Sequence, residues 1–238
     1  MIGTLLNIAT VLVGGVLGLL FGARLSERIR QTVVAGLGLF TAAIGVSLFL
    51  DSVNVTIVLL ALLIGGVLGE WWQIEAALTR LGKWLQGSFA PGEGGGARFV
   101  RGFLTASLVF CVGPLTILGA IRDGLTGDYE LLAIKSTLDG FAAIVFASTL
   151  GVGVLFSTLV ILVYQGGLSL LASQAQAVFT EPMIAELSAT GGVLLLGIAV
   201  SSLLEIKPIR VANFLPALVI APLIVAILAQ LGISPAIP

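Results

Sequence analysis

Histidine is missing from this 238-residue chain, and cysteine occurs once, as Cys111. Without histidine the commonest metal ligand and the usual general base near neutral pH are both gone. A lone thiol excludes an intramolecular disulfide framework and any cysteine-cluster metal site. Charge is scarce too: 10% of the residues are Asp, Glu, Lys or Arg, against roughly 25% in soluble domains. The net charge of −1 gives no basic field for nucleic acid. Gly-x-Ser-x-Gly, a nucleotide loop and paired buried carboxylates are missing as well. The sequence therefore points away from an enzyme and implies no cofactor and no resident metal.

What fills the chain is apolar: 58% of it is hydrophobic, with 31 Gly spread through the apolar stretches. So little polar surface does not suit water, and so much glycine suits close-packed membrane helices. The expected fold is an all-α polytopic membrane protein whose first partner is the lipid bilayer. At the ~20 apolar residues a bilayer requires, spans fall at 3–22, 32–50, 54–70, 102–121, 188–204 and 211–231. The first reads as a retained span, not a cleaved leader. Residues 71–88 differ. Trp71, Ile74, Leu78, Leu81, Trp84 and Leu85 recur at helical spacing while Glu75, Arg80 and Lys83 face away. That pattern predicts an amphipathic helix in the membrane surface, followed by a glycine-rich linker at 90–96.

The apolar segment 139–173 decides the topology. Basic residues collect on the cytoplasmic side, so Arg24, Arg28 and Arg30 place the first loop inside and the N-terminus outside. Arg80, Lys83, Arg98 and Arg101 place the third loop inside, and Lys207 with Arg210 does the same for the last. The polar stretches 122–138 and 174–187 then lie outside, the second carrying Glu181 and Glu186 but no Lys or Arg. Segment 139–173 thus starts and ends on one face, as a hairpin of short helices at about 139–150 and 157–173. Gly151-Val-Gly153 forms its uncharged tip, which suits a re-entrant turn buried in protein. The total is about eight membrane-entering helices, with the C-terminus also outside.

An internal repeat gives the same count. Residues 35–51 align without gaps on 189–205, matching Ala, Gly, Ile, Val, Ser, Leu and a terminal carboxylate in register. Thr4-Leu5 and Gly14-Gly15 resemble Thr158-Leu159 and Gly166-Gly167. Two spans between the copies make them an inverted three-helix repeat. The domain reading is a first three-span repeat at 1–70, an interfacial helix and linker at 71–101, a central span and half-hairpin at 102–156, and the inverted repeat at 157–238.

Three stretches carry a family likeness: Phe110-Cys-Val-Gly-Pro-Leu-Thr-Ile-Leu-Gly-Ala-Ile-Arg-Asp-Gly-Leu-Thr-Gly-Asp128, Lys135-Ser-Thr-Leu-Asp-Gly140 and Tyr164-Gln-Gly166. Met1-Ile-Gly-Thr and Gly36-Leu-Gly38 agree with it. The chain resembles the uncharacterised bacterial domain-of-unknown-function 554 membrane family over nearly its whole length. The resemblance implies a bacterial inner-membrane protein of unassigned biochemistry, and it supplies no catalytic residues.

Candidate binding residues come from the spans. Lys135 and Asp139 are four apart on one helical face where the hairpin enters the membrane. An ionisable residue inside a span is functional by default, but a cap by Asp139 with Lys135 reaching outward fits equally. Cys111-Val-Gly113-Pro114 sits in mid-span, where proline cannot donate its N–H and frees carbonyls near Phe110. Such breaks line sites in transporters; an ordinary kink is the alternative. Cys111 itself also reads as a packing residue. Gln165 with Tyr164, and Asn7 and Asn213 in the outer spans, need polar partners, either a neighbouring helix or a solute. Gly151 and Gly153 complete the set through the hairpin tip. Asp123 and Asp128 form either an oxygen-rich outer loop or a plain polar turn.

A secondary transporter of a small ion or polar solute is the leading function, with a channel beside it. A structural or assembly role is the other reading. Its basis is Gly14-Gly15-Val-Leu-Gly18 and Gly65-Gly66-Val-Leu-Gly69, which offer faces for a homo-oligomer.

Overall fold

The computed structural model describes residues 1–22, 26–89, 96–111 and 113–234. The side chains of residues 27, 30, 81–83, 85–89, 96, 97 and 114 are not among those described. The expected linker, Gly96 apart, and Arg24 of the first basic loop lie outside these residues. Every element described is helical: α1 (Ile2–Gly22), α2 (Glu27–Leu50), α3 (Val55–Trp72), α4 (Ile74–Phe89), α5 (Gly96–Cys111), α6 (Pro114–Thr126), α7 (Glu130–Leu150), α8 (Gly153–Leu170), α9 (Ala172–Val178), α10 (Glu181–Ile198) and α11 (Ala217–Gln230). A π-helical turn (Ala199–Leu203) and a 3₁₀ turn (Val211–Phe214) join the last two. Among the described residues seven helices are long and apolar enough to cross a membrane. A bent pair, Arg98–Cys111 with Leu115–Thr126 at 61°, makes up to eight. The chain is a multi-pass helical membrane protein.

The helices group into two compact units, Met1–Leu37 with Thr79–Val178 and Gly38–Leu78 with Phe179–Pro238. In the first unit α1 lies along α7 with almost nothing between the backbones. A Cβ on Gly14, Gly18 or Gly22 would stand 2.2, 2.3 and 2.4 Å from the carbonyl oxygens of Gly140, Ile144 and Ser148. Both series rise together, so the two helices run parallel. Against α8, α1 runs antiparallel, Gly15 facing Leu155 and Thr4 facing Gly166. Small residues admit this approach because in lipid dispersion, not water exclusion, holds helices together. In the second unit α3 packs antiparallel on the α11 segment, Gly65 on Ala217 and Gly69 on Asn213. The C-terminal half of α2 packs antiparallel on α10, Gly45 on Gly192 and Gly38 on Leu203 and Leu204.

Several boundaries differ from the expected ones. The first limb of the hairpin begins at Glu130, not 139, and fills a span by itself. Its polar residues bond to their own helix: Ser136 and Thr137 donate their hydroxyls to the carbonyls of Leu132 and Ala133, at 2.6 and 3.1 Å. Asp128 accepts the Glu130 N–H at 3.0 Å and helps start the helix. Thus 122–138 is a helix end, a cap and a helix start. The second limb runs over Gly153–Leu170, and a two-residue turn with Gly151 at φ 83° joins the two. That backbone conformation favours glycine. The tip is a tight turn between full-length helices. It is covered from α5, where Phe99 stacks edge-on against Phe156 at 5.0 Å and Arg98 donates to the Thr149 carbonyl at 3.2 Å. Span 102–121 is resolved into α5 and α6. Glu181 and Glu186, expected in an outer stretch, belong to α10.

Candidate functional site

Four helices of the first unit bring polar side chains to one buried place. Lys135 and Asp139 form an ion pair within α7, with 7% and 9% of their side chains exposed. Asp139 follows Glu130 by nine residues, about 14 Å of helical rise, so it lies mid-helix. The helix-cap reading of Asp139 is thereby excluded. From α1, Asn7 donates its amide to Gln165 Oε1 of α8 at 3.0 Å, and Gln165 Nε2 donates to Thr4 Oγ1 at 3.2 Å. The Asn7 amide also faces the Asp139 carboxylate. Asn7 and Gln165 are fully buried, and Asn7 Oδ1 has no hydrogen-bond partner. Cys111, at the end of α5, is close enough to feel the charges of both Lys135 and Asp139, and Tyr164 stands near Cys111.

The order of the pair along α7 matters. An i,i+4 pair supports a helix best with the acid nearer the N-terminus, and here Lys135 precedes Asp139. A buried ion pair is also weak evidence of stabilisation, because desolvation offsets the attraction. Neither term explains two charges at this depth.

The break beside Cys111 is partly self-sealed. Pro114 is the first residue of α6, and the carbonyl of Phe110 accepts the Thr116 hydroxyl at 3.1 Å. Gly113 caps α6 without a side-chain hydrogen bond, and a Cβ there would meet nothing within 4 Å.

The remaining expected residues lie elsewhere. Asp123 receives the Gly3 N–H at 3.2 Å and the Met1 ammonium at 2.8 Å, whereas Asp128 pairs with Arg122 at 2.7 Å. Gly127 ends α6 at φ 72°. The two carboxylates thus serve different partners around an ordinary helix end. Gly151 and Gly153 sit at the foot of α7 and α8, away from the polar cluster by the length of half a helix. A Cβ on Gly153 would stand 2.1 Å from the Phe99 carbonyl. An apolar groove of about 350 Å³ follows the α1–α7 crossing past Thr10, Gly14, Thr137, Gly140 and Phe141, with neither charge of the pair in its wall.

Sequence reasoning left Thr4 out, although Thr4 and Asn7 are one turn apart on the glycine face of α1. It also left out one polar cluster of the second unit and, in another, named Asn213 without its partners. Glu186 of α10 is wholly buried and accepts the Ser52 hydroxyl, at 3.1 and 3.0 Å to its two oxygens, and the Asn54 N–H at 2.7 Å. In the other cluster Asn213 accepts the Glu75 N–H at 2.8 Å and donates to Glu70 at 2.6 Å, while Arg210 pairs with Glu70. Burial pushes the Glu75 carboxyl above its ordinary range, against the opposing pull of the Ala212 N–H and Arg210.

Residues 2–226 match the profile of a family described as protein of unknown function, DUF554. An uncharacterized protein of Escherichia coli K12, YqgA, is 35% identical over 222 residues, covering 92% of this chain and 94% of its own. An uncharacterized membrane protein of Bacillus subtilis 168, YdfK, is 30% identical over 238 residues, covering 98% and 99%. No solved structure matches.

Proposed function

The chain belongs to the DUF554 family, and from that premise we propose that it is a secondary transporter of a small ion or polar solute, not an enzyme, in the bacterial inner membrane. The observation that carries the reading is the Lys135–Asp139 pair, buried at mid-helix and joined to Asn7 and Gln165 beside a broken span. Polar groups at that depth are costly in hydrocarbon, and in carriers they mark the path of the solute. Cys111, Gly113, Pro114, Lys135, Asp139 and Gln165 are assigned to the site. Gly151 and Gly153 support it from the hairpin foot.

The inverted repeat belongs to this reading. Its support is that each of the three matched helix pairs, α1 with α8, α2 with α10 and α3 with α11, packs antiparallel. The parallel course of α1 and α7 also fits an N-terminus on the outer face and a cytoplasmic hairpin tip beside Arg98. The assembly reading is weaker, since both glycine strips are occupied within the chain. Gly14, Gly15 and Gly18 face Gly140, Leu155 and Ile144, and Gly65, Gly66 and Gly69 face Ala217, Phe214 and Asn213.

The test is directed flux in liposomes holding the purified chain, with a panel of labelled ions and small polar solutes. At least one should cross faster than in empty liposomes, saturably, and slow in Asp139→Asn. Flux that never saturates would indicate a channel, and no flux for any solute would remove the transport reading.

A further inference from the structure

The polar cluster of the first unit has two ways of being hydrogen-bonded, and they differ by one proton. In the structure the chain of donors runs from Asn7 Nδ2 to Gln165 Oε1 and from Gln165 Nε2 to Thr4 Oγ1. That direction leaves Asn7 Oδ1 buried without a donor, and reversal would put Asn7 Nδ2 in the same place, so the two states differ in which amide atom faces Asp139. Turn both amides over and the chain runs the other way. The Thr4 hydroxyl then donates to Gln165 Oε1, and Gln165 Nε2 donates to Asn7 Oδ1. A hydroxyl can serve at either end because it is both donor and acceptor. In the reversed chain Asn7 Oδ1 faces Asp139 and can accept an O–H from it, which only a protonated carboxyl possesses.

We propose that Asp139 carries an exchangeable proton, that its protonation reverses the Asn7–Gln165–Thr4 chain, and that the released Lys135 ammonium takes a small monovalent anion. The inference rests on the transport reading and names the substrate class of that site. Atoms and charges balance. A proton leaves the water phase and bonds to an Asp139 carboxylate oxygen, and the Lys135–Asp139 pair breaks. Lys135 keeps its proton and pairs with the anion. The site has zero net charge before and after, as a low-dielectric interior requires. Among the described residues, charged or titratable groups facing Asp139 are few. Lys135 comes from α7 itself and Cys111 from α5, with Tyr164 of α8 beyond Cys111. From α1 the facing residue is the neutral Asn7. On α6 the acid Asp123 is committed to Met1 and Gly3.

Infrared difference spectra of the full chain in detergent, stepped from mildly alkaline to acidic pH, read the carbonyl band of a protonated carboxyl. The wild type should gain a band that Asp139→Asn lacks and Asn7→Leu shifts toward an unbonded carboxyl. If Asp139→Asn fails to fold, Asp139→Glu serves in its place and should keep a band at a changed frequency. At fixed near-neutral pH in weak buffer, sodium chloride, nitrate or formate should cause uptake of about one proton per chain, lost in Lys135→Gln. In Lys135→Gln the buried carboxyl has no cation beside it, so its band should appear at a higher pH than in the wild type. No band in the wild type, or an equal band in Asp139→Asn, overturns the proposal. So does a band with no proton uptake for any of the three salts. Neither readout needs a membrane gradient, so both can succeed where liposome flux fails, and flux can persist where they fail.

Discussion

Asp139 and Glu186 are both carboxylates buried in apolar helices, one in each unit, and they are held in opposite ways. Glu186 receives a backbone N–H and a hydroxyl from the link before α3, at a helix N-terminus that favours a negative charge. Asp139 depends on an ammonium from its own helix and on an amide whose second atom is idle. The first arrangement holds a loop in place, while the second is the one proposed to change. Burial alone therefore does not mark a site, and the number of alternative partners does.

The comparison predicts a double dissociation. Asp139→Asn should lower saturable flux by at least ten-fold, with the thermal midpoint in detergent and the elution profile close to wild type. Glu186→Gln should keep flux per folded molecule and lower stability by about 1–3 kcal/mol, read as a reduced midpoint. Equal loss of flux in both would end the distinction. Next in size is the hairpin foot. Gly153→Leu should reduce the yield of monodisperse protein several-fold, because its side chain would enter the α5 backbone, while Gly167→Leu, with nothing within 4 Å, should be tolerated. Equal tolerance would mean that the foot is loose and contributes nothing to holding the pair. Thr116→Val should uncover the Phe110 carbonyl at a cost of about 1 kcal/mol, visible as a smaller midpoint shift.

The smallest effect concerns Glu75. Its folded-state carboxyl titrates above its ordinary range, so the fold favours the protonated form. Stability tied to this group is present at acid pH and lost as pH rises through the raised value. Glu75→Gln removes that dependence. The midpoint difference, Glu75→Gln minus wild type, should be larger at neutral than at acid pH. An equal difference at both would show that the junction of α3 and α4 carries no such strain.

The class of the fold was legible because a bilayer imposes a length and a composition that few other environments share. Lys135, Asp139 and Gln165 were legible for the same reason, as polar residues in apolar runs. Where helices begin was less so. Ser136 and Thr137 make 130–138 look like a loop, because a sequence does not reveal that their hydroxyls turn back onto the helix. Glu186 was hidden for a similar reason: near an apolar boundary, a carboxylate that caps a distant turn looks like one that faces water. Thr4 was missed because its meaning depends on Gln165, which is 161 positions away.

The close course of α1 beside α7 has a mechanical meaning. Where two backbones touch through glycine, no side-chain rotamers lie between them to absorb a shift. A displacement of even a small fraction of a helical turn would drive α-carbons into carbonyl oxygens at Gly14, Gly18 and Gly22 together. The two helices are therefore expected to move as a single strut, so that any rearrangement of the first unit flexes elsewhere. Paired spin labels on the exposed Leu5 and Leu138 should keep one separation with and without any added solute, and so provide the fixed ruler for measuring the rest.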